Sequence, residues 1–205
     1  METKAHWEHV YRTRNIEEVS WHQRNPRISL DLIRRVAPGV SARIIDVGGG
    51  ASSLVDHLLR DGYSRITVLD VSEAALRHAR ERLGPAAETV TWIDGDVRTA
   101  ELPEVAFDVW HDRAVFHFLT EEADRQLYVA QARRAVRPGG HLIVATFADD
   151  GPTRCSGLPV TRYSAGELSE EFGDAFQLID TVRELHVTPS GAQQSFIYCL
   201  WEAIG

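Results

Sequence analysis

The chain has 205 residues, 43% hydrophobic and 25% charged, which suits one soluble domain with its own apolar core and excludes collagen-like, disordered and multidomain organisation. Its 22 Lys and Arg against 30 Asp and Glu leave a formal charge of −8, so no chain-wide positive field holds a nucleic acid or an anionic membrane. Cys155 and Cys199 are the only cysteines, too few for a disulfide framework and without zinc-site spacing, which fits a reducing cytoplasm.

Residues 1–9 are polar and hold no apolar run, so no secretory signal or spanning segment is expected there. Trp7, Val10 and Tyr11 fall at helical spacing, and a second helix is predicted over 26–36 after Ser20-Trp21-His22-Gln23. From Arg43 onward, β-branched runs alternate with helical segments, the pattern of a parallel sheet covered on both faces. A strand over 43–47 meets Gly48-Gly49-Gly50, and a helix starts at Ser52 or Ser53 and stops at Gly62. A strand over 65–70 leads to Ser72 as N-cap and a helix ending at Gly84-Pro85. Strands over 89–93 and 107–110 come next. A helix from about Thr120 follows, with acids in its first turn and Arg133, Arg134 and Arg137 in its last. Pro138-Gly139-Gly140 turns into a strand over 141–147, a loop covers 148–163, a helix covers 164–172, and strands over 176–187 and 193–201 form an antiparallel hairpin. Five parallel strands plus that hairpin make seven, one more than the six of a dinucleotide dehydrogenase.

Glycines between a strand and a helix let a ligand approach the backbone, and Asp70 ends the next strand, where a carboxylate accepts hydrogen bonds from a ribose diol. A tight turn is the plainer alternative for the glycines. Position 53, where a dinucleotide fingerprint wants its third glycine, is Ser, and Asp46 just before the turn repels pyrophosphate but accepts from a cationic amine. No phosphate-binding loop with Gly-Lys-Ser/Thr is present. S-adenosylmethionine, with an ammonium and no phosphate, fits these residue types.

In Asp46-Val47-Gly48-Gly49-Gly50, Leu69-Asp70-Val71, Asp94-Gly95-Asp96-Val97 and Arg137-Pro138-Gly139-Gly140, the chain resembles the class I S-adenosylmethionine-dependent methyltransferases. The resemblance implies a three-layer, Rossmann-like α/β fold with a seven-stranded, mostly parallel sheet, an antiparallel last strand and N-terminal lid helices. It implies one methyltransferase domain over 1–205, with lid helices over 1–40, a cofactor-binding core over 41–147 and a substrate loop and hairpin over 148–205. Asp46, Gly48, Gly49, Gly50 and Ser53 are expected at the methionine part, Asp70 at the ribose, Val71 at the adenine, and Asp96 with Val97 at the adenine amino edge. A turn is the alternative for Asp96.

The residues after the fourth strand should face the transferable methyl, which singles out His111, Asp112, Arg113 and His117 in an aromatic stretch that is either pocket wall or plain core. Arg113 is expected as a cation near a thiolate acceptor, and, for a nitrogen or oxygen acceptor, His111 as base and cofactor contact with His117 behind it as base. Trp110-His111-Asp112-Arg113 with Gly151-Pro152 is similar to the thiopurine S-methyltransferases, while small-acid methyltransferases share Trp7, Tyr11 and Ser20-Trp21 loosely. Tyr11 and Trp21 suit a sulfonium by cation–π attraction, and Arg154, Arg162 and Tyr163 on the long loop are expected at the acceptor, with solvated surface as their alternative. The nine histidines form no convincing metal set. The expectation is methyl transfer to a small nucleophile, with a thiol, sulfide or other chalcogen compound as candidates, by a cytoplasmic monomer or homodimer without nucleic-acid or membrane partners. A small carboxylic acid, a protein lysine, or binding without catalysis are the alternatives.

Overall fold

Strands β1 (Arg43–Val47) and β2 (Arg65–Asp70) in the computed structural model, which describes residues 2–204, match the two runs read from the sequence. Their near-continuous apolar character follows from a position buried on both faces, and Asp46 is the buried polar exception in β1. The chain then adds β3 (Thr91–Asp94), β4 (Phe107–Arg113), β5 (Val136–Phe147), a small pair β6 (Arg154–Cys155) and β7 (Leu158–Pro159), and β8 (Phe176–Val187) and β9 (Gln193–Ala203). The main sheet runs β3-β2-β1-β4-β5-β9-β8, with β9 antiparallel to both neighbours and the other contacts parallel. The order reverses between β1 and β4, where open α/β sheets leave a crevice at the carboxyl ends of their strands.

Helices α1 (Glu2–Thr13), α2 (Arg27–Val36), α3 (Leu54–Arg60), α4 (Glu73–Leu83), α5 (Glu122–Ala135) and α6 (Ala165–Phe172) complete the fold. Alternate strand residues feed two cores: Ile45, Val47 and Trp110 pack with Tyr128 of α5 and Phe172 of α6, while Ile44, Val68 and Val109 pack with α2 and α3. The three-layer, Rossmann-like architecture is therefore as expected. Ser72 caps α4 by accepting from the Ala75 N–H, and a capping box of Ser164 and Glu167 starts α6.

Three local expectations change. β4 runs on to Arg113, so His111, Asp112 and Arg113 lie within the strand and not after it. β5 starts at Val136, which places Arg137 in the strand. Pro138-Gly139-Gly140 bulges out where the register shifts between Phe107 and Val109, with Gly139 at a φ of 66°. The long loop contains the β6–β7 hairpin, whose central residues Ser156 and Gly157 both have positive φ (49° and 81°), as a tight hairpin turn requires.

Candidate functional site

Two adjoining cavities sit at the carboxyl ends of the central strands. The first encloses about 940 Å³, mouth included, between Asp70 and Val71 at the end of β2, Asp96 and Val97 after β3, and Ala114 and Val115 after β4. The second, about 560 Å³, lies over the end of β1 and is walled by Asp46, Gly49, Ser52, His111 and Ser29. Tyr11, Trp21, Gly48 and Arg113 line both and mark the junction.

The glycine turn is shaped by close approach. Gly48 has a φ of 68°, and a Cβ there would lie 2.0 Å from Val115 Cγ2. A Cβ at Gly49 would lie 2.4 Å from Asp46 Oδ2, and one at Gly50 would lie 2.4 Å from Asp70 Oδ2. The glycines thus leave room for two buried carboxylates that flank the turn.

Asp46 and His111 are register partners on β1 and β4, both 3% exposed. His111 Nδ1 lies 2.7 Å from Asp46 Oδ1, and its Nε2 lies 2.8 Å from Ser29 Oγ at the start of α2. An ionised carboxylate only accepts, so the Nδ1–H donates to Asp46 and Nε2 takes the Ser29 hydroxyl hydrogen. This chain ties a helix preceding the sheet to the acid at the second cavity.

Asp70 accepts from the Ser72 N–H at 2.8 Å, yet burial pushes its carboxyl up to about 7, with Asp46 and Asp94 adding to the rise. Such a group gains from a cation or from hydroxyl donors. Asp96 behaves differently. Arg98 holds it through its backbone N–H (2.9 Å) and guanidinium (Nε at 2.9 Å), which keeps it below the usual carboxylate range, and Arg98 also reaches Asp124 at 2.6 Å. Asp96 therefore lines the first cavity as a turn residue already bonded to Arg98.

Several expected acceptor residues are taken up by contacts within the protein or lie away from the cavities. The Arg113 guanidinium donates to Tyr198 Oη (2.8 Å) and the Trp21 carbonyl (3.1 Å), faces Glu184 (3.5 Å) and stacks over Phe196 at 4.3 Å. It fastens the segment before α2 to β8 and β9 and offers no free charge. Asp112 points to the opposite face, accepting from Tyr128 Oη (2.7 Å) and the amides of Val115 and Phe116; burial holds its carboxyl at about 6. It braces the exit of β4, where Ala114 takes a φ of 71°. His117 is fully buried between Phe118 and Phe147, with Nδ1 accepting from the Phe147 N–H at 3.2 Å, and burial lowers it to about 3. It lines neither cavity. Ser53 donates to the Gln23 carbonyl at 2.8 Å and is replaced at the second cavity by Ser52. Arg154 and Arg162 bond to the Gly157 and Gly151 carbonyls on the surface, and Tyr163 packs against Phe116 with its hydroxyl buried.

Other residues emerge that pattern alone did not single out. α1 docks on the sheet through Lys4–Asp94 (2.6 Å), through Glu8, which accepts from Ser72 Oγ (3.1 Å) and the Ala74 N–H (3.2 Å), and through His78 on the Tyr11 carbonyl (2.9 Å). Trp7 thereby reaches the first cavity, with ring centroids 5.5 Å from Trp21 and 5.2 Å from Phe118. Cys155 also lines that cavity, its thiol pushed up to about 11 by burial. The helical spacing of Trp7 and Tyr11 carried a signal for the first; nothing local carried one for Cys155.

Residues 44–140 match a family described as a methyltransferase domain. The ubiquinone/menaquinone biosynthesis C-methyltransferase of Paracoccus denitrificans is 31% identical over 159 residues, 73% of this chain and 62% of that protein. An uncharacterized methyltransferase of Mycobacterium tuberculosis is 32% identical over 60% of each chain. The chain thus spans about three fifths of the length of these curated relatives. Among solved structures, the 1,6-didemethyltoxoflavin-N1-methyltransferase of Burkholderia thailandensis, with bound S-adenosylhomocysteine, shares the fold at a TM-score of 0.77 and 20% identity, covering 99% of this chain and 88% of that one. Among the described residues no helix is long and apolar enough to cross a membrane. With the glycine turn, the strand-end acids and the reversed last strand in place, residues 44–140 form a methyltransferase domain within the fold shared by S-adenosylmethionine-dependent methyltransferases.

Proposed function

We propose that this chain transfers the methyl group of S-adenosylmethionine to a small, uncharged nucleophile, thiols and sulfides among them. The buried carboxylates fit the donor: Asp46, with Gly48 and Gly49, would hold the amino-acid head in the second cavity, and Asp70 the ribose hydroxyls in the first. Val71 and Val97 would pack the adenine. Asp96 keeps lone pairs beyond its bonds to Arg98 and would take the amino edge. Tyr11 and Trp21, at the junction, stand where a sulfonium gains from aromatic faces. The donor supplies an activated methyl carbon, so the protein's contribution is positioning, which contributes on the order of 7–11 kcal/mol in well-oriented intramolecular reactions.

The observation that carries the acceptor class is the pairing of both arginines on the first cavity. Arg98 is matched by Asp96 and Asp124, and Arg113 by Glu184 with the hydroxyl of Tyr198. Neither has free charge for a carboxylate substrate. The rest of the acceptor wall is Trp7, Val115, Phe118, Leu119 and Cys155. Relatives with nitrogen and carbon acceptors in their names, the NodS N-methyltransferase of Bradyrhizobium japonicum and the quinone C-methyltransferase, are compatible with a soft or neutral acceptor and do not choose the atom.

Single-turnover transfer of labelled methyl to a panel of thiols, sulfides, amines, small carboxylic acids and a lysine peptide tests this reading. Label is expected on sulfur or neutral nitrogen. Preferential labelling of the acids or of the peptide would overturn it.

A further inference from the structure

We infer that the acceptor is a thioether, a tertiary amine or a pyridine-type ring nitrogen, so that the product leaves the first cavity as a permanent cation. This rests on the methyltransferase reading above and narrows its substrate class.

The first observation is the wall itself. Trp7, Tyr11, Trp21 and Phe118 meet edge to face or tilted, with centroid separations of 5.2 to 6.2 Å, and all four line the first cavity. Two of them also reach the junction with the second cavity. Aromatic faces attract a cation and gain little from a neutral group beyond contact area. The wall continues past the junction, so it serves a positive charge on either side of the transferred carbon.

The second observation is the local charge. The guanidinium groups on this cavity are each matched by carboxylates, while Asp70 sits buried on the same wall. The cavity therefore favours a net positive occupant.

The third is the lack of a proton acceptor facing the acceptor end among the described residues. His117 is walled off behind Phe118 and Phe147, and His111 is bonded on both ring nitrogens at the second cavity. Asp96 and Asp124 are held by Arg98, and Asp70 takes the Ser72 amide. The Cys155 thiol and the Tyr11 phenol face the cavity as neutral groups.

With a neutral thioether or tertiary amine the balance closes without a base. The acceptor's lone pair forms the new bond to the methyl carbon as the carbon–sulfur bond of the donor breaks. The bonding pair stays on the donor sulfur, which becomes a neutral thioether. The positive charge passes to the acceptor atom, and no proton is released. The charge moves only from one end of the aromatic wall to the other.

Competitive binding to the complex with S-adenosylhomocysteine tests this without turnover, using choline and its neutral isostere 3,3-dimethylbutan-1-ol and following tryptophan fluorescence and calorimetry. Choline is expected to bind about 2- to 30-fold tighter than the alcohol. Trp7→Leu and, separately, Phe118→Leu should each reduce that preference while Trp7→Phe retains most of it. Equal or tighter binding of the alcohol, or no saturable choline binding, overturns the inference. Failure of S-adenosylhomocysteine itself to bind would instead contradict the methyltransferase reading.

Discussion

His111 Nδ1 lies 2.7 Å from Asp46 Oδ1, and the two residues sit side by side on the strands that flank the topological switch. The histidine fixes one oxygen of the acid and leaves the other beside Gly49, at the cavity where an ammonium group is expected. Its second nitrogen meets Ser29 of α2, so the acid's orientation depends on how that helix docks. His111→Ala removes a donor from a buried carboxylate, a loss on the order of 1–3 kcal/mol. The variant is expected to melt lower and bind S-adenosylmethionine roughly tenfold more weakly, with His111→Asn in between. Thermal melts and calorimetry check this; an unchanged affinity in His111→Ala would remove the positioning role.

Asp70 gives the site a pH dependence. Its carboxyl is raised from 3.8 to about 7 by burial, so in the unfolded chain it ionises well before it does in the fold. Stability contributed by the neutral form is present below pH 4 and is lost as pH rises towards 7, by an amount on the order of 4 kcal/mol. Asp70→Asn should therefore raise the melting temperature of the ligand-free protein at pH 8 more than at pH 5. Hydroxyl donors and a cationic ligand favour the ionised form, so S-adenosylmethionine affinity should increase from pH 6 to pH 8. Calorimetry at pH 7 in buffers of different ionisation enthalpy should detect proton release on binding; proton uptake would contradict this assignment.

Gly48 tests the close approach of the turn. Gly48→Ala places a Cβ 2.0 Å from Val115 Cγ2 at a φ of 68°, so the β4 exit must shift. Cofactor affinity is expected to fall at least tenfold. Gly48→Ala with Val115→Ala should recover part of it, leaving a backbone strain on the order of 1 kcal/mol. No recovery in the double variant would place the fault in the backbone alone.

Arg113 joins three segments that are distant in sequence. Arg113→Ala should raise hydrogen exchange across residues 16–24 and lower turnover several-fold, because the Trp21 carbonyl loses its anchor. Arg113→Lys cannot reproduce the fork to Tyr198 and Trp21 and should rescue little. Unchanged exchange in that segment would show that the clamp is not what holds it.

His117 is predicted to be dispensable as a base. Loss of a general base typically costs about 10²- to 10⁴-fold in rate. Measured kcat for His117→Gln should fall by far less once the variant's folding is matched to wild type by circular dichroism, and a larger loss would restore His117 to the chemistry.

The β1 and β2 boundaries, the glycine turn and the two strand-end acids were legible because each depends on neighbours in the chain: apolar runs, a turn residue, a cap. Pro138-Gly139-Gly140 has the residue types of a turn and of a bulge alike, and only pairing with β4 decides between them. Arg113 looked free because its partners Trp21, Glu184 and Tyr198 are far away in sequence and close only in the fold. Asp96 had both meanings locally, and Arg98 two residues on supplied the pairing. The acceptor wall combines α1, the segment before α2 and the β4 exit, a juxtaposition that no single stretch encodes.

Calorimetric titration of S-adenosylmethionine into wild type and Asp70→Ala at pH 8 reads out whether the ligand's ribose sits on Asp70. Hydrogen bonds to a charged group contribute about 1.5–3 kcal/mol each, so wild type should bind one equivalent and the folded variant roughly 100-fold more weakly. Equal affinity in the two proteins, with both shown to be folded, would contradict the account.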